Sequence, residues 1–284
     1  MIKFTLPNFF SNYIINRTFH NLATTNPEYF VYKNLKIVGQ EGHYPYFYWS
    51  GNNYNDIALS TWPTLGDFQI VLSESCNLPL IFNCANPLLL SQDFYDNKNN
   101  EFIKFFNNGS NKIIISNPIF GEYLKNTYPY YTLIGDNNYK LADPDKTFID
   151  NLTLIRCNYK DIDSDFYKNI SKNKIDIDVT DFCSKCSEDK QSDCQLLKSQ
   201  EIIMFMHNSC IRNCQLGEFS TLQPDKIIAL NAQGYSNFHL NLSSIQLTDY
   251  SQMLEIYINL FIKDEYKDTV RLILEKGGYS NGTN

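Results

Sequence analysis

Short apolar segments alternate with helical patterns along most of the chain. Between these segments, apolar residues recur at the three- and four-residue spacing of amphipathic helices. Repeated strand–helix alternation is typical of a parallel sheet. Over 284 residues it favours a closed barrel over an open sheet. The segments that we predict to be buried strands are 34–38, 79–83, 112–116, 131–135, 152–156, 175–179 and 237–241.

Helix boundaries agree with this pattern. A first helix is predicted to open after Pro7 and to stop before Pro27. Pro118 and Pro224 suit first helical turns, and Gly234 suits the position after a helix end. The further predicted helices are 66–75, 99–107, 118–126, 163–170, 224–233, one capped by Thr248, and 264–276. We therefore predict an α/β protein with one distorted (β/α)8 TIM-like barrel domain spanning residues 1–284.

An irregular stretch, about 180–219, interrupts the alternation late in the predicted barrel. It carries five of the eight cysteines of the chain. A long irregular insertion in a compact domain is usually functional or stabilised by a metal. The clustered cysteines are Cys183, Cys186, Cys194, Cys210 and Cys214.

Two interpretations of these cysteines stay open. Cys183 and Cys186 have the C-x2-C spacing that gives two ligands to one metal, and four of the five thiolates would suffice for zinc or an iron–sulfur cluster. Alternatively, the first pair lies in a loop, while Cys210 and Cys214 pack as small core residues of a helix. The overall spacing is not that of a standard zinc finger.

Polar and aromatic residues at predicted strand ends form a second set of candidates. The carboxyl ends of barrel strands are the usual active-site face. We predict catalytic residues there and a cofactor-binding loop around 43–52, although large aromatic residues also serve simply to close a barrel. The predicted catalytic residues are Asn83, Asn117, Asp181 and His239, and the predicted cofactor-binding residues are Trp49, Gly51 and Asn52.

Composition narrows the function classes. A net charge of −7 without a basic block argues against strong binding to a phosphate backbone. No apolar run is long enough to span a membrane, and the start of the chain does not read as a signal peptide, so we expect a cytoplasmic protein with reduced thiols. Dinucleotide-binding, Walker A, zincin, nucleophile-elbow and C-x3-C-x2-C motifs are absent from the sequence.

Several segments together resemble the collagenase-like peptidase family, a β/α-barrel group that includes prephenate-dependent RNA hydroxylases. The likeness covers nearly the whole chain, through motifs of moderate specificity. It implies a divergent small member with an iron–sulfur site at the clustered cysteines. The segments that carry it are Gly42-His-Tyr-Pro-Tyr-Phe-Tyr-Trp49-Ser-Gly51-Asn52, Phe82-Asn83-Cys84-Ala-Asn86, Ile114-Ile-Ser-Asn117-Pro, Ile177-Asp-Val-Thr-Asp-Phe-Cys183, and Pro224-Asp225 with Gly234-Tyr-Ser-Asn-Phe238.

The resemblance implies iron–sulfur-dependent hydroxylation of a biosynthetic small molecule or RNA, or, as a lesser option, peptide hydrolysis. Two arginines of the family pattern are missing, since Asn52 or Asn53 follows the tryptophan loop and a segment around His239 and Asn241 replaces the other. An anionic substrate normally requires an arginine fork. The alternative is a binding or scaffold barrel, or a subunit that needs a homo-oligomeric or other partner, with zinc-bound or free cysteines.

Overall fold

Eight parallel strands close into a barrel in a computed structural model that describes residues 1–42, 48–50, 66, 69–70, 73, 76–86, 89–137, 146–181, 220–240 and 250–279. The strands of these residues are β1 (Ile2–Leu6), β2 (Leu35–Gly42), β3 (Leu80–Cys84), β4 (Lys112–Ile115), β5 (Thr132–Gly135), β6 (Leu154–Asn158), β7 (Ile175–Asp178), β8 (Thr180–Asp181), β9 (Ser220–Thr221) and β10 (Asn237–His239). The barrel order is β1-β10-β7-β6-β5-β4-β3-β2, and β8 pairs with β9 in a separate ribbon.

Helices connect the strands. The α-helices are α1 (Phe9–Thr25), α2 (Asn97–Phe105), α3 (Pro118–Thr127), α4 (Lys146–Asn151), α5 (Asp165–Lys168), α6 (Pro224–Ala232), α7 (Tyr250–Phe261) and α8 (Lys267–Tyr279). Short 3₁₀ helices lie at Pro27–Tyr29, Tyr48–Ser50, Ser91–Tyr95, Tyr159–Asp161, Lys172–Lys174 and Asp264–Tyr266. No helix within the described ranges is both long and apolar enough to cross a membrane.

The predicted α/β barrel is confirmed, and all seven predicted strands are present within a few residues of their expected bounds. One strand at the start of the chain was not predicted, and another is longer than predicted. Ile2–Leu6 is a strand that closes the barrel against both β2 and β10, and the strand predicted at 34–38 continues through Gly42. Gly234 has a positive φ of 105°, as expected after a helix end.

The apolar core is divided by the barrel wall. A large outer core lies between the strands and the helices, where Phe4 of β1 meets Phe261 of α7 edge to face with ring centroids 4.7 Å apart. A small inner cluster of Ile81, Ile114 and Ile134 fills part of the barrel interior. Because side chains alternate across each strand, every barrel strand has one set of residues facing the helices and one set facing the interior.

The ribbon of β8 and β9 lies directly beyond the carboxyl end of β7. Thr180 pairs with Thr221 and Asp181 with Ser220 in antiparallel register. The Val179 amide donates to the His239 carbonyl oxygen at 3.1 Å, which ties the ribbon to β10. The chain therefore leaves and re-enters the barrel at one point, and the predicted irregular insertion between the two strands, 182–219, lies outside the described residues.

Candidate active site

Charged side chains meet inside the barrel near the carboxyl ends of its strands. Glu41 of β2 and Arg156 of β6 stand on opposite sides of the strand order, so the bond between them crosses the interior. Arg156 Nη1 donates to Glu41 Oε1 at 3.1 Å, and Nη2 donates to Oε2. Arg156 is 1% exposed and Glu41 6% exposed, so this ion pair is almost fully removed from water.

The guanidinium of Arg156 is the positive centre of this group. Burial by itself lowers the pKa of Arg156, but the neighbouring carboxylates of Glu41, Asp176 and Asp136 outweigh burial and raise it. Its Nε lies 3.7 Å from Oδ2 of Asp176, which is ion-pair distance without a hydrogen bond. Arg156 therefore stays charged and is already engaged by protein carboxylates.

His239, the last residue of β10, lies beside Asp176 and is fully buried. Its Nδ1 is 3.1 Å from Oδ2 of Asp176, although the ring is not oriented for a hydrogen bond. Its Nε2 has no hydrogen-bond partner among the described residues. A buried imidazole nitrogen without a partner is unusual, because buried polar atoms in native proteins are nearly always hydrogen-bonded.

Asp178, the last residue of β7, is in register with His239 of β10 and Asn158 of β6. It is 1% exposed, and its Oδ1 accepts a hydrogen bond from the Thr180 amide at 2.9 Å. Burial raises the pKa of Asp178, and this effect exceeds the opposing effects of His239, Thr180 and Arg156, which lower it. The site thus places a carboxyl group of raised pKa beside an imidazole.

The raised pKa of Asp178 predicts a pH-dependent gain of stability on removing its charge. The unfolded chain releases this proton near pH 4, whereas the folded protein retains it to higher pH, so ionisation destabilises the fold as pH rises through the folded-state pKa. Asp178→Asn cannot ionise and keeps an acceptor for the Thr180 amide. We expect a melting temperature about 2–4 °C above wild type near pH 8 and a smaller difference near pH 4.

Scanning calorimetry of wild type and variant across that pH range measures this difference. The exposed Asp150 gives a matched control, because Asp150→Asn removes the same charge from the surface. Melting temperatures that stay parallel for wild type and Asp178→Asn at every pH would contradict a raised pKa.

Amide and hydroxyl groups complete the mouth of the barrel. Asn83 Nδ2 donates to Glu41 Oε1 at 3.0 Å, and the backbone carbonyl oxygen of Asn83 accepts from Ser50 Oγ at 2.5 Å. Across the mouth, Ser116 Oγ contacts Asp136 Oδ2 at 3.3 Å. Asp136 is half-buried, unlike the deeper carboxyls. Among Glu41, Asp136, Asp176 and Asp178, Asp136 is the most exposed carboxyl group.

The structure brings together some of the residues that the sequence predicted and assigns others to the fold. Asn83 and His239 lie in the charged site. Asn117 caps α3, where its Oδ1 accepts from the Ile119 and Phe120 amides and its Nδ2 donates to the Leu89 carbonyl oxygen. This contact set is that of a helix cap.

Trp49 lies in the outer core. It is fully buried, its Nε1 donates to the Asp93 carbonyl oxygen at 2.8 Å, and its ring meets Phe120 edge to face with centroids 4.9 Å apart. These contacts account for Trp49 by packing at the outside of the barrel. A role for Trp49 in binding a cofactor stays a prediction.

The remaining predicted site residues cannot be placed. The backbone of Asp181 forms β8, but its side chain lies outside the described residues, as do Gly51, Asn52, Cys183, Cys186, Cys194, Cys210 and Cys214. Cys76, Cys84 and Cys157 form no disulfide bond. Within the described residues, no group of three or more His, Cys, Asp or Glu side chains is arranged to hold a metal ion.

Sequence reasoning missed Glu41, Arg156 and Asp176, three of the central residues of the site. A signal for them exists in the strands themselves. Asp176 and Asp178 alternate with isoleucines in 175–178, and Arg156 stands between Ile155 and Cys157 in 154–158, although both faces of a barrel strand are buried. A charge at such a position faces either the interior or the helices, and it needs a partner in both cases.

No family model matches the chain, and no curated protein matches it either. The resemblance to collagenase-like peptidases therefore stays a prediction. What the geometry itself offers is an imidazole, two neighbouring carboxyls and a fixed arginine at the face of the barrel where enzymes of this fold act. These groups can accept, donate and stabilise protons and charges on a bound molecule.

Proposed function

We propose that the protein is an enzyme that transfers protons to and from a small polar molecule bound at the mouth of the barrel. The observation that carries this proposal is the fully buried His239, whose Nε2 has no described partner and whose ring adjoins Asp176. Asp178 ends the adjacent strand at the same level. Pairs of titratable groups with different environments are characteristic of acid–base sites.

Stability alone gives a poor account of this site. Burying an ion pair costs free energy, and well-packed apolar residues of similar size often do as well or better. The interior of this barrel already contains such packing, because Ile81, Ile114 and Ile134 of the neighbouring strands β3, β4 and β5 form an apolar cluster there. Charged residues in place of further branched apolar ones therefore point to a functional requirement.

Each residue has a role in the proposed chemistry. His239 accepts a proton from the substrate through Nε2, and the carboxylate of Asp176 lies 3.1 Å from Nδ1 on the other side of the ring. Asp178, whose pKa is raised by burial, supplies a proton to a developing negative charge. Arg156, held by Glu41, lies at ion-pair distance from the carboxylate of Asp176.

A turnover screen tests this proposal. Purified protein is incubated with a small-molecule extract, and each compound is followed by mass spectrometry and by exchange of its protons for deuterium. A compound that wild type converts or exchanges and that His239→Gln leaves unchanged supports proton transfer by His239. A screen in which wild type alters no compound counts against catalysis and favours a binding barrel.

We propose separately, from the family resemblance, that the clustered cysteines hold an iron–sulfur cluster or zinc and that the barrel serves hydroxylation of a small molecule or RNA. The position of β8 and β9 favours this, since the segment carrying those cysteines joins the barrel next to Val179 and His239. No step of the proton transfer depends on this group.

Metal content tests that second proposal. Protein purified without oxygen is expected to contain iron and sulfide and to show a brown charge-transfer absorption, or else to contain about one zinc per chain. Cys183→Ser and Cys186→Ser are expected to lower the metal content, whereas Cys84→Ser, at a buried thiol of β3, leaves it unchanged. Protein free of iron and zinc after anaerobic purification would refute a bound metal.

A further inference from the structure

We propose that the amino-terminal end of the barrel binds a phosphate group between the ammonium groups of Lys3 and Lys112. Lys3 is the second residue of β1 and Lys112 the first of β4, whereas His239 ends β10 at the opposite, carboxyl end. The site is therefore separate from the proposed proton transfer. The chain segments that lead into the barrel strands at this end all belong to the described residues.

Both lysine side chains point into the barrel. Lys3 precedes Phe4, whose ring packs against Phe261 in the outer core, so Lys3 lies on the inner face of β1. Lys112 lies on the same face of β4 as Ile114, which belongs to the inner cluster. Branched apolar residues are the usual filling of a barrel interior, so two lysines at these positions require an explanation.

The two ammonium groups have no partner within the part of the chain that the structure describes. The ion pairs and side-chain hydrogen bonds of these residues involve other cations, although both lysines are half-buried. Burial lowers the pKa of Lys112, and the charge of Lys3 lowers it further, against the opposing effect of Asp176. An anion between the lysines would offset both the burial and the repulsion.

The interior carboxylate that interacts with Lys112 is engaged elsewhere. Oδ2 of Asp176 lies 3.7 Å from Nε of Arg156 and 3.1 Å from Nδ1 of His239, and it forms no ion pair with either lysine. The exposed Lys36 is in register with Lys3 and adds a third positive charge at the rim. In a chain of net charge −7, this end of the barrel is thus a local concentration of positive charge.

Thr132 is an independent sign that a ligand belongs here. It is in register with Lys112 on the neighbouring strand and lies on the same inner face as Ile134. Its Oγ1 is buried and has no hydrogen-bond partner among the described residues. Because buried hydroxyl groups are nearly always hydrogen-bonded, a ligand oxygen beside Lys112 would satisfy this one.

The placement of these donors favours a tetrahedral oxyanion. β1 and β4 stand three places apart in the closed order of eight strands, so Lys3 and Lys112 approach a central ion from nearly opposite walls. A phosphate group has oxygens in all directions and can accept from both lysines and from the Thr132 hydroxyl. A carboxylate is planar and suits the fork of an arginine, whereas lysine binds phosphate as a point charge.

Calorimetric titration with inorganic phosphate, glycerol phosphate and acetate at constant ionic strength tests the inference. Phosphate is expected to bind at millimolar concentration, and acetate about tenfold more weakly because it engages fewer of the donors. Lys112→Met removes the ammonium group and keeps an unbranched side chain, and we expect it to weaken phosphate binding about tenfold, the usual scale for losing one charged hydrogen bond. Lys125→Met, at an exposed lysine of α3, is the matched control and leaves binding unchanged.

Thr132→Val is a second variant that keeps the shape of the side chain. It removes a hydroxyl without a described protein partner, so we expect a folded protein with weakened phosphate binding. Tighter binding of glycerol phosphate would identify the ligand as the terminal group of a larger molecule, and tighter binding of inorganic phosphate would identify the free ion. Absence of phosphate binding at millimolar concentration, acetate bound as tightly as phosphate, or binding that Lys112→Met or Thr132→Val leaves unchanged would overturn the inference. The turnover screen decides the proton-transfer proposal separately.

Discussion

Arg156→Met is expected to lower the free energy of unfolding by about 3–5 kcal/mol, the largest effect on stability that a single substitution in this site should have. This loss in the free energy of unfolding does not equal the net contribution of the ion pair to stability. It arises because Glu41 and Asp176 would remain as buried carboxylates after their shared cation is removed. Methionine fills much of the arginine volume, so a cavity contributes little. Urea unfolding followed by circular dichroism measures the change.

A double variant and a surface control separate charge from packing. In Glu41→Gln with Arg156→Met, the carboxylate that paired with the arginine is gone, and we expect a substantial part of the loss to be recovered. Arg271 makes a similar two-nitrogen pair with Glu255 on exposed helices, so Arg271→Met should cost less than about 1 kcal/mol. Equal losses for Arg156→Met and Arg271→Met would contradict a desolvated network in the barrel.

The barrel was predictable from the sequence because its outer core follows local patterns. Segments such as Ile113–Ile115 are apolar on both faces, as strands of a parallel barrel require. The first strand was missed because Lys3 and Thr5 break its apolar pattern, yet both face the interior. The strand predicted at 34–38 is too short because β2 continues through glycines, and a Cβ atom at Gly42 would lie 2.5 Å from the Phe10 ring. Here glycine serves close packing instead of a turn.

The charged site was less predictable because its partners are distant in sequence. Glu41 and Arg156 are 115 residues apart, and only the closed strand order puts them face to face. Asn83 and His239 were found because they stand at strand ends, where position alone is informative. Asn117 stands at the same kind of position, but its amide is used by the helix that follows. Strand-end position therefore selects candidates, and the hydrogen bonds decide among them.

His239→Gln is expected to reduce kcat for the compound found in the turnover screen by about 10²–10⁴-fold, with a much smaller change in KM. Glutamine keeps a polar end within the buried site but cannot accept and release a proton, so the loss falls on the chemical step. Asp176→Asn is expected to cause a smaller loss, because Asp176 acts through the ring of His239 and not on the substrate. Steady-state kinetics of both variants across pH measures these effects.

The control for His239→Gln is the same substitution at a histidine outside the barrel. His20 lies on α1, is half-buried, and has a pKa lowered by burial, so His20→Gln makes the same substitution away from the mouth. We expect wild-type kcat for this control and a folded circular dichroism spectrum for all three variants. A His239→Gln enzyme with kcat within a few-fold of the control would remove His239 from the chemistry. The unpaired Nε2 would then require another explanation, such as a bound ligand that the imidazole only positions.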